Sequence, residues 1–305
     1  MNNILFTKAT IVRNLKDYKF VPKLEDGKKD EIVDKLSSAL KGKLSILNLS
    51  TANVKVIENL KNNRLFNSNY QTIFVSEKDN LSISLFNEEH LNIVSTNIGY
   101  DKTTSKKVLE LAKFLANKVS FSYNDQYGYL MSNLNNIGTG IKLECLIALP
   151  ALAKIGKIDQ IKRNVRQLGY QLSDVKNSVD IFSISTICNL GFTENEICKE
   201  FDKMVSKLQD LETESAKMYD VSNHDELLDA YSRSVAILNS ANLMNYSELK
   251  EYIKNLRLGL NLGLTSIPLD KINNLQQLCI NKDSEFISKS EMLNLAKRVK
   301  EILKK

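Results

Sequence analysis

The fold is decided by Gln71-Thr72-Ile73-Phe74-Val75-Ser76, Leu81-Ser82-Ile83-Ser84-Leu85-Phe86 and Leu91-Asn92-Ile93-Val94-Ser95-Thr96-Asn97-Ile98. These runs alternate or are rich in β-branched residues, a composition typical of strands. Glu77-Lys78-Asp79-Asn80 separates the first two and has the composition of a hairpin turn. The three runs therefore predict consecutive strands of an antiparallel sheet.

Outward from these strands, the patterns predict separate helices and more strands. Helical spacing of apolar residues predicts helices over 30–40, 106–118, 158–168 and 194–219. Further strands are predicted at 1–6, 127–131, 141–152 and 180–189. From about Ser222 the pattern is purely helical. We therefore expect an α+β domain over 1–222 and a helical domain over 223–305.

Composition places the chain among folded globular proteins, with 43% hydrophobic and 26% charged residues. The N-terminus lacks the features of a signal peptide, and no run of about 18 apolar residues could span a membrane. A cytoplasmic protein is expected. Its net charge is +6, but 42 basic and 36 acidic residues are well mixed, which does not favour nucleic-acid binding.

The cysteines lie in apolar surroundings without a C-x-x-C pair. They are Cys145, Cys188, Cys198 and Cys279. We expect buried, reduced thiols rather than metal ligands or disulfides, and no metal site is predicted.

Four ordered segments carry a family resemblance. They are Ser82–Leu91 with Asn87-Glu88-Glu89-His90, 127–152 with Gly138-Thr139-Gly140 and Leu149-Pro150-Ala151-Leu152, 167–185 with Ile181-Phe182-Ser183-Ile184-Ser185, and 233–264 with Leu256-Arg257-Leu258-Gly259. This set resembles the bacterial protein-arginine kinases of the McsB family, which have the phosphagen-kinase (ATP:guanido phosphotransferase) fold. The resemblance implies an antiparallel sheet flanked by helices, followed by a helical domain for dimerisation and regulation. It also implies ATP and Mg²⁺ as cofactors for phosphoryl transfer to protein arginine.

The resemblance also identifies positions where the family binds the ATP phosphates through arginines. In this chain those nucleotide-binding positions are Lys8, Thr10, Asn92, Lys142 and Ser173. None is arginine: two are lysines, which keep a charge but lose the planar guanidinium fork, and three are uncharged. Tight ATP binding in the family's manner is therefore not expected, and any ATP or Mg²⁺ binding is expected to be weak.

The carboxylates that hold the substrate guanidinium are only partly retained. Glu88 and Glu89 occupy catalytic positions, whereas the family's second essential glutamate belongs to a loop that is shortened here around 172–178. The substrate loop corresponds to Asn133 and the turn Gly138-Thr139-Gly140, with Asn133 in place of the family's cysteine. A simpler interpretation is also open, in which Glu88, Glu89 and His90 form only a solvated strand edge and Gly138-Thr139-Gly140 only a tight turn.

A second family site, which binds phosphoarginine in the helical domain, falls on Glu291, Met292 and Leu295. One acid and two apolar residues do not suit a phosphate, so we expect this site to be lost as well.

Three functional hypotheses follow from the resemblance. The first is a pseudokinase that acts as a scaffold, with partners like the family's activator McsA, repressor CtsR and unfoldase ClpC, and a homodimer through the helical domain. The second is an active, divergent arginine kinase that uses Lys8, Lys142 and Glu88. The third is a cleft that binds another anion or a small guanidino compound.

Overall fold

The computed structural model describes residues 3–65, 70–187, 190–264, 266–279 and 287–304. Within them lie ten strands: β1 Ile4–Arg13, β2 Ser45–Asn48, β3 Thr72–Ser76, β4 Leu81–Leu85, β5 Leu91–Ile98, β6 Tyr123–Asn124, β7 Gly128–Tyr129, β8 Ile141–Ala148, β9 Tyr170–Asp174 and β10 Ile181–Thr186. Eight of them form one sheet in the order β2-β3-β4-β5-β1-β8-β10-β9, and β6 pairs with β7.

The predicted antiparallel strands are confirmed. β3 pairs antiparallel with β4, β4 with β5, and β5 with β1. The hairpin turn between β3 and β4 closes through a hydrogen bond from Asn80 N to Glu77 O, and Asn80 adopts a positive φ of 49°. Asparagine tolerates this left-handed conformation better than most residues, which explains its place in the turn.

The described helices are α1 Asp26–Leu40, α2 Val54–Asn62, α3 Thr103–Ala116, α4 Pro150–Lys154, α5 Ile158–Gln167, α6 Glu194–Ser240, α7 Tyr246–Asn261, α8 Leu269–Cys279 and α9 Lys289–Lys304. The strand predicted over 141–152 is wrong in its last part, because Pro150 opens α4, where its missing N–H and fixed φ suit a first helical turn. α6 continues past Tyr219, and its only interruption is a non-helical Asn223 (φ −139°, ψ 29°).

The chain forms two compact units that are not contiguous in sequence. The sheet unit comprises Phe6–Cys145 and Ser185–Lys203; the helix-rich unit comprises the chain up to Leu5, Leu146–Ile184 and everything from Met204 onward. The two domains predicted over 1–222 and 223–305 stay a prediction, and their boundary lies inside α6, where Asn223 is non-helical.

A row of isoleucines marks the core of the sheet unit. Ile11 pairs with Ile93, which pairs with Ile83, and all three are completely buried. Burial of each such side chain stabilises the fold by roughly 1.5–3 kcal/mol. Because side chains alternate along a strand, the even-numbered residues of β1 lie on the sheet face opposite to this row of isoleucines.

The helix-rich unit has its own core. It is built from apolar stripes on α6 to α9, including Leu238, Leu249, Leu256, Ile272 and Val299. α7 begins with a capping box, in which Asn245 and Glu248 each accept from the other's backbone N–H.

The described thiols agree with the expectation only in part. Cys145 and Cys279 are buried and Cys198 is half-buried, and none of these three cysteines forms a disulfide, while Cys188 lies outside the described residues. No described helix combines the length and the apolar character needed to cross a membrane.

Candidate functional site

Three of the predicted nucleotide-binding positions share one face of the sheet unit. Lys8 and Thr10 alternate along β1, and Asn92 of β5 lies directly opposite Val12. Since cross-strand partners and alternate residues point to the same side, the register brings Lys8, Thr10 and Asn92 together.

The uncharged positions give this face little to bind an anion. Thr10 has no charge, and Asn92 leaves its side-chain oxygen buried without a hydrogen-bond partner. A buried acceptor of this kind destabilises a fold by about 1–3 kcal/mol, and it repels rather than attracts phosphate oxygens. These two positions therefore do not replace the charge of two arginines.

Lys142 lies in β8, the strand next to β1, and is exposed. The two strands are joined near it by a hydrogen bond from Val12 N to Gly140 O, 2.9 Å. The pKa of Lys8 is lowered mainly by burial, and the cationic charge of Lys142 lowers it further. Lys142 is therefore near enough to Lys8 to act on it electrostatically.

Ser173 belongs to the helix-rich unit. It lies in β9, half-buried, and its hydroxyl accepts a hydrogen bond from Gln171 Nε2, 2.9 Å. The segment after it is a short connection to β10, in which Val175 N donates to Ile181 O and Asn177 has a φ of 58°. This tight connection occupies the place where the resemblance implies a longer, glutamate-bearing loop.

The Glu89 carboxylate is buried and fully engaged. It accepts from Asn14 Nδ2 (2.5 Å), from Ser132 N and Oγ (both 2.9 Å) and from Asn133 N (3.1 Å). Four donors on one carboxylate fix the start of the 132–140 loop against the strands. The interpretation of Glu89 as part of a solvated edge is therefore wrong, because the residue is 1% exposed.

Glu88 has the opposite environment. It is exposed, and its carboxylate accepts one hydrogen bond, 3.0 Å, from Asn133 Nδ2. Asn133 also accepts from Asn135 N through its side-chain oxygen, which orients the amide. Glu88 is thus held in place yet open to a ligand.

His90 is structural. Leu15 N donates to its Nδ1 at 3.0 Å, so the ring proton lies on Nε2, which donates to Lys19 O at 2.8 Å. The ring is completely buried, and burial lowers its pKa below the ordinary value. The imidazole therefore connects two chain segments as a neutral group.

The glycine turn of the substrate loop is held by Arg13, which the sequence analysis did not single out. Its Nη1 donates to Thr139 O (2.8 Å), its Nη2 pairs with Glu194 (2.7 Å), and its guanidinium lies 3.6 Å from the ring centroid of Tyr129. Gly140 has a φ of 60°, and a Cβ there would lie 2.9 Å from Arg13 Nη1. The turn is therefore a packed, charge-anchored structure and not merely a flexible loop.

A comparison with known families decides the assignment. A family model described as "ATP:guanido phosphotransferase, C-terminal catalytic domain" matches residues 18–215. The chain belongs to the ATP:guanido phosphotransferase family. Lys8 and Thr10 precede the matched residues.

Within this family, the similar relatives are named protein-arginine kinases. The one from Clostridium perfringens is 27% identical over 277 residues, covering 86% of this chain and 82% of the relative. Those from Clostridium novyi and Bacillus subtilis are 25% and 23% identical, covering 99% and 86% of this chain and 95% and 77% of the relatives.

Solved structures of the family share the fold. The substrate-free duplicated taurocyamine kinase from Schistosoma mansoni matches with a TM-score of 0.61 at 19% identity, covering 81% of this chain and 36% of that longer chain. Lombricine kinase matches with a TM-score of 0.58 at 19% identity, covering 69% and 66%. The phosphagen-kinase architecture implied by the sequence is thus confirmed.

ATP:guanido phosphotransferases use ATP and Mg²⁺ in general. The residues at the positions that the resemblance implies do not fit an arginine cage, because Thr10 and Asn92 are uncharged and Asn92 Oδ1 is a buried acceptor without a partner. Among the described residues, no group of three or more His, Cys, Asp or Glu could hold a metal ion.

The positions aligned with the phosphoarginine site lie on α9. Leu295 is buried in the helical core, and Glu291 accepts from Ser288 N and Oγ at the start of the helix. Both side chains thus have structural contacts.

Proposed function

We propose that this chain is a McsB-like protein-arginine kinase homologue with impaired phosphoryl transfer, acting as a scaffold or adaptor in the stress response and Clp protein quality control. The observation that carries the proposal is the sheet face on which Thr10 and Asn92 stand in place of phosphate-binding arginines. Each charge-assisted contact contributes on the order of 1.5–3 kcal/mol to binding. The absence of the arginines that the resemblance implies at Thr10, Asn92 and Ser173 therefore weakens triphosphate binding by several orders of magnitude.

The carboxylates support the same proposal. Glu89 already accepts four hydrogen bonds from the chain itself, so its oxygens are committed to the loop. The β9–β10 connection is too short to supply the family's second glutamate. Of the two glutamates, Glu88 alone remains open to a substrate guanidinium. One acid without phosphate-binding arginines does not stabilise the negative charge that develops in the transition state.

Calorimetric titration with Mg-ATP tests the proposal. We expect no binding in the micromolar range and no transfer of label from radiolabelled ATP to an arginine-rich protein. Micromolar binding together with acid-labile label on the protein would contradict it.

The alternative function is an active, divergent protein-arginine kinase. The observation that favours it is Glu88, which is exposed and oriented by the 3.0 Å hydrogen bond from Asn133. The test is labelling of an arginine-rich protein by the parent and by Glu88→Gln, with Glu214→Gln as a matched control on an exposed glutamate of the helix-rich unit. Label that is lost only in Glu88→Gln establishes the kinase.

Partners and assembly belong to the proposal as well. We expect a cytoplasmic homodimer that binds proteins like McsA, CtsR or ClpC. Light scattering of the purified protein measures the mass in solution, and a pull-down from native lysate identifies bound proteins. Recovery of no such protein counts against the adaptor function.

A further inference from the structure

A small pocket lies in the helix-rich unit, between the middle of α6 and the C-terminal end of α7. Its volume is about 290 Å³. The leucines Leu227, Leu262 and Leu264 contribute apolar surface, and Lys217 and His224 contribute polar groups. None of the pocket residues belongs to the positions that the resemblance implies for ATP, for the substrate guanidinium or for phosphoarginine. The pocket combines apolar surface with a few charged groups, which is the usual composition of a small-molecule site.

The α7 wall of the pocket is fixed by a Schellman motif at the end of the helix. Leu264 N donates to Gly259 O at 2.9 Å. Gly263 N donates to Leu260 O at 3.1 Å, and Gly263 has a φ of 86°, which favours glycine at this position of the motif. Because these hydrogen bonds fix the backbone, Leu262 and Leu264 are held at the pocket before any ligand binds.

The α6 wall contains the interruption of that helix. Asn223 is non-helical, and its Nδ2 donates to Tyr219 O at 2.9 Å. Asp220 and His224 line the pocket on either side of the interruption, and His224 Nδ1 donates to Asp220 Oδ1 at 2.8 Å. This hydrogen bond raises the pKa of His224 above its ordinary value. The Asp220 carboxylate is therefore matched by an imidazolium on its own helix.

Lys217 is the pocket cation without such a partner. It is exposed and lies about one helical turn before Asp220. Among the residues that the structure describes, no carboxylate lies within 4.0 Å of its ammonium group. Lys217 and protonated His224 against Asp220 leave one positive charge in excess. The Lys217 ammonium is therefore available to an anionic ligand.

We propose that this pocket binds a small aliphatic monocarboxylate, such as hexanoate. The aliphatic chain contacts Leu227, Leu262 and Leu264, and the carboxylate accepts a hydrogen bond from Lys217 Nζ. One excess cation suits a single negative charge, and the nearby Asp220 disfavours a dianion such as phosphate. The volume of about 290 Å³ is small for a ligand pocket, which suits a compound of few atoms.

Isothermal titration of the full chain with butanoate, hexanoate and hexylamine tests the apolar and the charged half of the site. The titrations are done at roughly pH 6, where His224 is protonated. Hexanoate is expected to bind tighter than butanoate, by up to about four-fold for each added methylene. Hexylamine has the same chain and the opposite charge, so it is expected not to saturate. The solutions contain no nucleotide, so the result does not depend on the proposed function.

Substitution of the lysine tests the charge. Lys217→Gln is expected to weaken hexanoate binding about five-fold, the upper range for an exposed ion pair, and to leave the melting temperature unchanged. The matched control is Lys207→Gln, which removes an exposed lysine of α6 outside the pocket and is expected to leave the affinity unchanged.

Substitution of an exposed leucine tests the apolar surface without damage to the core. Leu228 lines the pocket and is 40% exposed, and Leu243, 45% exposed, lies outside it. Leu228→Gln is expected to reduce the gain from butanoate to hexanoate, and Leu243→Gln to preserve it.

Four results would each overturn the proposal. They are hexylamine binding as tightly as hexanoate, equal affinities for butanoate and hexanoate, the same affinity in Lys217→Gln as in Lys207→Gln, and no saturation of the parent by millimolar hexanoate.

Discussion

The buried carboxylate of Glu212 predicts how the stability of the helix-rich unit depends on pH. Its carboxylate is completely buried in α6 and accepts from Ala151 N (2.8 Å), Leu152 N (3.0 Å) and Asn261 Nδ2 (3.2 Å). Burial raises its pKa from 4.5 to about 7, although these hydrogen bonds pull the pKa down. Desolvation therefore outweighs three donors at this position.

The raised pKa makes stability depend on pH with a definite sign. Because the folded state binds the proton more tightly than the unfolded state, the contribution of Glu212 is fully present below pH 4.5 and is lost as pH rises through about 7. The difference of about 2.5 pKa units corresponds to roughly 3 kcal/mol. In Glu212→Gln the side chain stays neutral and nearly isosteric, so this part of the pH dependence disappears.

The measurement is urea denaturation of the parent and of Glu212→Gln between pH 5 and pH 8. We expect similar free energies of unfolding near pH 5, and a variant that is more stable by up to about 3 kcal/mol near pH 8. Using the difference between the two proteins cancels every other titrating group. A difference that does not change with pH, or a variant less stable at pH 8, would show that Glu212 is ionised in the folded protein and refute the reasoning.

Three further predictions concern other buried positions. His90 is expected to titrate below its ordinary pKa of 6.5 in NMR spectra, so that its contribution to stability is complete above pH 6.5 and is lost on acidification below it; a titration midpoint above 6.5 would contradict this. Gly259→Ala is expected to destabilise the protein by about 1–3 kcal/mol in urea, because the new Cβ would lie 2.3 Å from the Tyr231 ring, whereas the control Gly27→Ala meets no atom within 4 Å and is expected to be neutral or stabilising. Arg257→Met is expected to raise the melting temperature, because the buried guanidinium leaves Nε and Nη1 without partners; a lower melting temperature would mean that the charge is compensated.

The strands and their order in the chain were largely predictable from the sequence. Runs of alternating or β-branched residues predicted β3, β4 and β5, although the structure buries both faces of β4. Ile141–Leu152 was harder, because a continuous apolar run has no periodicity and only the structure shows the change from strand to helix at Pro150. The resemblance to the family pointed to Lys8, Thr10 and Asn92, and the strand register shows that these residues share one face of the sheet.

What the sequence determined by itself was the family, the α+β composition and the chemical identity of each residue at the family's positions. The tertiary structure decided which of these residues are available. Glu88 and Glu89 are adjacent glutamates, yet one is exposed and the other is committed to four donors from segments far along the chain. Burial and hydrogen bonding depend on such distant contacts, which no local pattern contains.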